Sequence, residues 1–119
     1  MIRFKSGPYG VNKEEFGLLT DAVLTIVVAF AAYGLENNLH VEITSMLRSD
    51  GIHADRRAVD MSSEGWSKFH VNRVCYHLNK EFKKIAAIAP STGKPLACYY
   101  HKVEGNEYHF HLQSLRGLK

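Results

Sequence analysis

The 119-residue sequence predicts an α+β domain in which helices pack on one face of a small, mainly antiparallel sheet. Three observations lead there. An apolar run from Ala22 to Tyr33 has the length of a buried helix, whereas a membrane span needs roughly 20 apolar residues. Several stretches alternate apolar and polar residues with the period of a half-buried strand. The elements follow the order helix, strand, strand, helix, strand, strand, with no repeat, low-complexity tract or linker between them. The length and the 45% hydrophobic and 23% charged composition fit a single globular domain over residues 1–119.

In "KSGPYGVNKEEF" the breakers Gly7, Pro8 and Gly10 make a loop, and Asn12 can cap a helix whose first turn carries Glu14 and Glu15. That helix is expected to run to about Tyr33, with Gly34 as its stop. "LHVEITSML" alternates Leu39, Val41 and Ile43 with His40, Glu42 and Thr44, and so forms a strand. Residues 48–56 are polar, and "RAVDM" is a short second strand. A second helix follows, capped by Ser62 or Ser63, with Trp66, Phe69, Val74, Leu78, Phe82 and Ile85 near helical spacing, and it ends before Pro90 and Gly93. Trp66 and Phe69 are expected in the core, and "KEFKK" on a solvated helix face. "PLACYYHKVEGNEYHFHLQSL" forms a hairpin around "EGN". A three-residue loop there would pair His101 with His109, and a two-residue turn would pair Lys102 with His109 and turn His101 away; local sequence leaves both open.

The formal charge of +3 is dispersed along the chain without a basic and aromatic stripe, so nucleic acid is not an expected partner. Acidic residues precede the apolar run, which is the reverse of a signal peptide, and synthesis in the cytoplasm without an export signal is the expectation. Cys75 and Cys98 form no CxxC pair and are expected to be buried free thiols.

The seven histidines are a surplus. His40, His70 and His77 have no partner at motif spacing and are expected at the surface or satisfied locally. His109 and His111 lie two apart on a strand and project from one face, as does Glu107. His53 and Asp60 in "GIHADRRAVDM" add an imidazole and a carboxylate, both suited to Zn²⁺. A catalytic zinc needs three protein ligands and an open position, and either histidine of the "HFH" pair could be the third.

"HADRRAVDM" resembles the H-x6-D motif of zinc-dependent D-Ala-D-Ala carboxypeptidases, cell-wall endopeptidases and phage endolysins, a fold shared with the Hedgehog signalling domain. The preceding "VEITSMLRSDG" and the terminal "HFHLQ" are similar to that family's strand and H-x-H ending, so the resemblance covers most of residues 39–115. It implies a zinc site on the sheet with His53, Asp60 and His111 as ligands. It also implies Arg48 as the group that binds a substrate carboxylate or carbonyl, and Ala58 as the small residue before the aspartate. Gly51 and Arg56 depart from the family's Ser-x-His and following glycine, and Tyr108 stands where many members carry a carboxylate. The proton-transfer group is therefore sought among His109, then Glu107, then His101, the last matching the end of the preceding strand in Hedgehog-like members. The function implied is a zinc peptidase acting on peptidoglycan stem peptides at the bacterial cell wall, as a lysis enzyme or virion component. The alternative is a catalytically inactive zinc-binding interaction module of the same fold.

Overall fold

A computed structural model describes residues 2–7, 10–46, 57–102 and 108–115. Within them the chain forms β1 (Arg3–Phe4), a 3₁₀ turn (Lys13–Leu18), α1 (Asp21–Glu36), β2 (Glu42–Ser45), β3 (Ala58–Ser62), α2 (Lys68–Glu81), a second 3₁₀ turn (Lys83–Ile85), β4 (Cys98–Lys102) and β5 (Tyr108–Gln113). The sheet has five strands in the order β1-β2-β3-β5-β4. It is mixed, because β1 runs parallel to β2 while the other pairs are antiparallel. β1 precedes the loop expected from Lys5 and matches no expected element; only two residues long, it has no alternation to read.

The sheet separates two chemistries. Val59 pairs with Leu112, and Met61 with Phe110, so these side chains share one face. Phe110 meets Phe30 of α1 at a centroid separation of 4.8 Å and Trp66 at 4.9 Å, and the Cys98 sulfur meets Cys75 of α2. That face is the core, covered by both helices. The opposite face carries Asp60, His111, His109, His101, Tyr99 and Gln113, placed by the pairs Asp60↔His111, Tyr99↔His111 and His101↔His109. The expectation of helices on one face holds, with the polar groups on the other.

Several boundaries differ from expectation, each for a local reason. Asn12 does cap a turn, accepting from the Glu14 N–H at 3.1 Å, but that turn is a 3₁₀ segment ending at Leu18. α1 starts afresh behind Thr20, whose hydroxyl accepts from the Val23 N–H. Nor does Gly34 stop the helix. The stop is Asn38 in the left-handed conformation (φ 57°), with the Leu39 N–H donating to Gly34 O and the Asn38 N–H to Leu35 O, the paired closure of a Schellman turn. Gly34 is needed for close approach instead, since a Cβ there would lie 2.5 Å from Val41 Cγ2 and 3.2 Å from Trp66 Cζ2.

The cap of α2 is Ser67, not Ser62 or Ser63. Ser62 ends β3, and residues 63–66 turn through Gly65 at φ 77° before the helix can begin. Trp66 is a core anchor as expected, stacked on Phe30 with its Nε1–H donating to His40 O at 2.7 Å. Phe69 is 61% exposed, packed only along the helix surface beside His70 and Arg73, so it is not a core residue.

Gly34→Ala tests the packing reading. Helix propensity alone would favour Ala by about 1 kcal/mol, whereas the clash with the buried, stiff Val41 side chain should reverse the sign and destabilise by about 1–3 kcal/mol. Urea unfolding decides; a more stable variant would refute the close-approach role.

Candidate metal centre

Asp60 and His111 are cross-strand partners at the middle of the β3–β5 ladder. Asp60 Oδ1 lies 3.0 Å from His111 Nδ1 and 3.5 Å from His109 Nε2. His109 Nε2 in turn lies 2.9 Å from His101 Nε2. The hairpin thus takes the register that pairs His101 with His109 and brings His101 onto the polar face. Tyr99 flanks the group, its ring 4.8 Å from that of His111.

The orientation of His111 follows from a residue that the motif reading passed over. Gln113 is 2% exposed, and its Nε2 donates to two backbone carbonyls, those of Ala87 and Leu96, each at 3.0 Å. Its Oε1 is therefore the atom turned toward His111 Nε2, 3.1 Å away, and an amide oxygen can only accept. His111 carries its proton on Nε2. In a neutral ring the Nδ1 lone pair then points at a carboxylate oxygen 3.0 Å off.

Two acceptors at that separation require positive charge between them, either a second proton on the imidazole or a cation. Ligand atoms on a tetrahedral zinc stand roughly 3.3–3.6 Å apart, given bonds of about 2.0–2.2 Å, so the pair need open by only a few tenths of an ångström. Imidazole nitrogen and carboxylate oxygen are zinc donors, and an N–H fixed by a second residue is the usual support of a ligating histidine. The pair therefore fits a metal. Gln113 was legible in one respect only, since it continues the alternation of His109 and His111 by one step on the same face.

Of the expected site residues, the structure brings together Asp60, His111, His109 and His101. Arg48, His53 and Glu107 lie outside the described residues. Among the described residues no group of three or more His, Cys, Asp or Glu side chains has the arrangement of a metal site. Among the described residues the other histidines are satisfied elsewhere or at the surface: His70 Nδ1 lies 2.7 Å from the Tyr33 hydroxyl, and His40 Nε2 3.3 Å from Glu42 Oε1. His77 sits beside Tyr76.

Burial, then the neighbouring His109 and His111, lowers the pKa of His101 from its ordinary 6.5, against a smaller opposing pull from Asp60. Burial, aided by the Asp60 charge, pushes the Tyr99 hydroxyl above its ordinary 10.0. Because His101 is depressed in the folded state, its contribution to stability is present above pH 6.5 and lost as pH falls through the folded value. In metal-free protein, the His101 ring should titrate below that of an exposed histidine by NMR. His101→Gln should also flatten the acid-side loss of stability; an unchanged slope would refute it.

The chain matches no family model, no curated protein and no solved structure, so its functional reading rests on the geometry of this polar face and on the motif resemblance.

Proposed function

We propose that the protein is a zinc-dependent peptidase acting on peptidoglycan stem peptides, with Asp60, His111 and His53 as the metal ligands. The observation that carries the reading is the convergence of His111 Nδ1 and Asp60 Oδ1 at 3.0 Å, with the opposite ring nitrogen committed to Gln113. The H-x6-D and H-x-H spacing supports the same ligand set and gives the substrate class. Bound zinc supplies a Lewis acid that lowers the pKa of water to roughly 7 and polarises a carbonyl.

The chain's own residues do the remaining work. Gln113 holds a His111 proton on Nε2, which leaves Nδ1 as the nitrogen that faces Asp60 and the metal position. His109 Nε2, beside Asp60 Oδ1, is placed to take a proton at the site and exchange it with His101 Nε2. Glu107 is the next choice for that task. Arg48 offers a fixed fork of donors to a substrate carboxylate or to oxygen charge developing on the scissile carbonyl.

A second reading, a zinc-binding interaction module without hydrolytic activity, is favoured by Tyr108 at the position where the resembled family often has a carboxylate. The two are separated by metal titration and peptide turnover. The protein should bind one equivalent of zinc, Asp60→Ala and His111→Ala should abolish binding, and Gln113→Ala should weaken it by about 10–100-fold. A cross-linked peptidoglycan stem peptide should be cleaved, and His109→Ala should lower kcat by about 10²–10⁴-fold with zinc retained. Zinc uptake without cleavage would leave only the interaction module, and no zinc uptake would refute both.

A further inference from the structure

We propose that Cys75 and Cys98 are a modification site, forming a reversible internal disulfide that fastens α2 to the edge strand β4 when the protein meets a disulfide oxidant such as oxidised glutathione. The two are distant in sequence but adjacent in space, as free thiols whose sulfurs lie 3.4 Å apart. A disulfide bond is about 2.05 Å long, so closure brings the sulfurs together by roughly 1.4 Å. The frame around them is already fixed. Asn79, one turn after Cys75 on α2, donates its Nδ2 to the Cys98 carbonyl at 2.8 Å and accepts the Cys98 N–H on Oδ1 at 2.9 Å. That side chain binds the outer edge of β4 as a neighbouring strand would, and holds helix and strand in register beside the two sulfurs.

The thiols differ in access. Cys98 is fully buried, and burial, followed by contact with Cys75, pushes its pKa well up, so it is a poor nucleophile toward reagents in solvent. Cys75 is only half-buried and meets the oxidant first. Its thiolate attacks one sulfur of oxidised glutathione; a Cys75–glutathione bond forms, the glutathione S–S bond breaks, and one glutathione thiolate leaves. Cys98 then gives its proton to that thiolate or to water and attacks the Cys75 sulfur. The Cys75–Cys98 bond forms, the mixed disulfide breaks, and a second glutathione thiolate leaves. Two protein thiols are oxidised and one glutathione disulfide is reduced to two thiols. In a reducing cytosol the pair stays open, and it closes in an oxidising compartment. The proposal does not depend on the metal reading.

The test exposes full-length protein to oxidised glutathione and follows intact mass and disulfide-mapped peptides. The wild type should lose the mass of two hydrogen atoms, with Cys75 joined to Cys98. Cys98→Ser should instead gain one glutathionyl group at Cys75, which shows that the entry point is reachable. The oxidised wild type should melt about 5–15 °C higher, reversibly with dithiothreitol, while Cys75→Ser and Cys98→Ser should show no such rise. The proposal is overturned if the wild type keeps two thiols or stops at a glutathione adduct, if Cys98→Ser does not react, or if the oxidised wild type melts no higher.

Discussion

The antiparallel register of β3 against β5 sets Asp60 opposite His111, and the rest of the molecule is arranged around that pair. Shifting either strand by one residue would turn Val59 and Met61, or Phe110 and Leu112, out of the core and the polar groups into it. The apolar half of the ladder thus enforces the polar half. Val59, Met61, Phe110 and Leu112 are all fully buried, and their packing against α1 and Trp66 fixes the register that the site requires.

Placing a carboxylate and an imidazole where each is only 5% exposed is costly unless the groups satisfy one another. Part of the compensation is structural. The segment after α2 sends the Ala87 and Leu96 carbonyls to Gln113, which passes the constraint to His111. Ala58, the cross-strand partner of Gln113, is the small side chain beside that amide. A further part of the compensation is charge between Nδ1 and Oδ1, which a metal or a proton can supply. The metal reading and the stability of the polar face are therefore linked, since whatever occupies that gap also stabilises the sheet.

Much of this was legible in the sequence. The α+β class follows from the order of elements, the strand carrying Asp60 from its partly β-branched composition, and the sharing of a face by His109 and His111 from the period of a strand. The hairpin register did not follow, because it is decided by both strands packing on the core, and local turn chemistry was compatible with either pairing. Gly34 has the look of a helix terminator, yet its role comes from Val41 and Trp66, residues distant along the chain. Gln113 was passed over because neither a metal-ligand pattern nor a catalytic one contains glutamine at that place; its importance lies in two backbone carbonyls that no motif records. The contact between Cys75 and Cys98 was invisible for a similar reason, depending on how α2 lies across β4.

The central claim is that the His111 ring is held with a proton on Nε2 and with Nδ1 facing Asp60, so that a metal can take the place of the proton between them. Long-range ¹H–¹⁵N NMR of the histidine rings near pH 7 tests it most directly. The account predicts a proton on Nε2 in both states, and replacement of the Nδ1 proton shared with Asp60 by a metal-bound Nδ1 resonance on addition of one equivalent of zinc. A His111 ring protonated at both nitrogens, with resonances unmoved by zinc, would contradict it and leave the pair as a metal-free buried salt bridge.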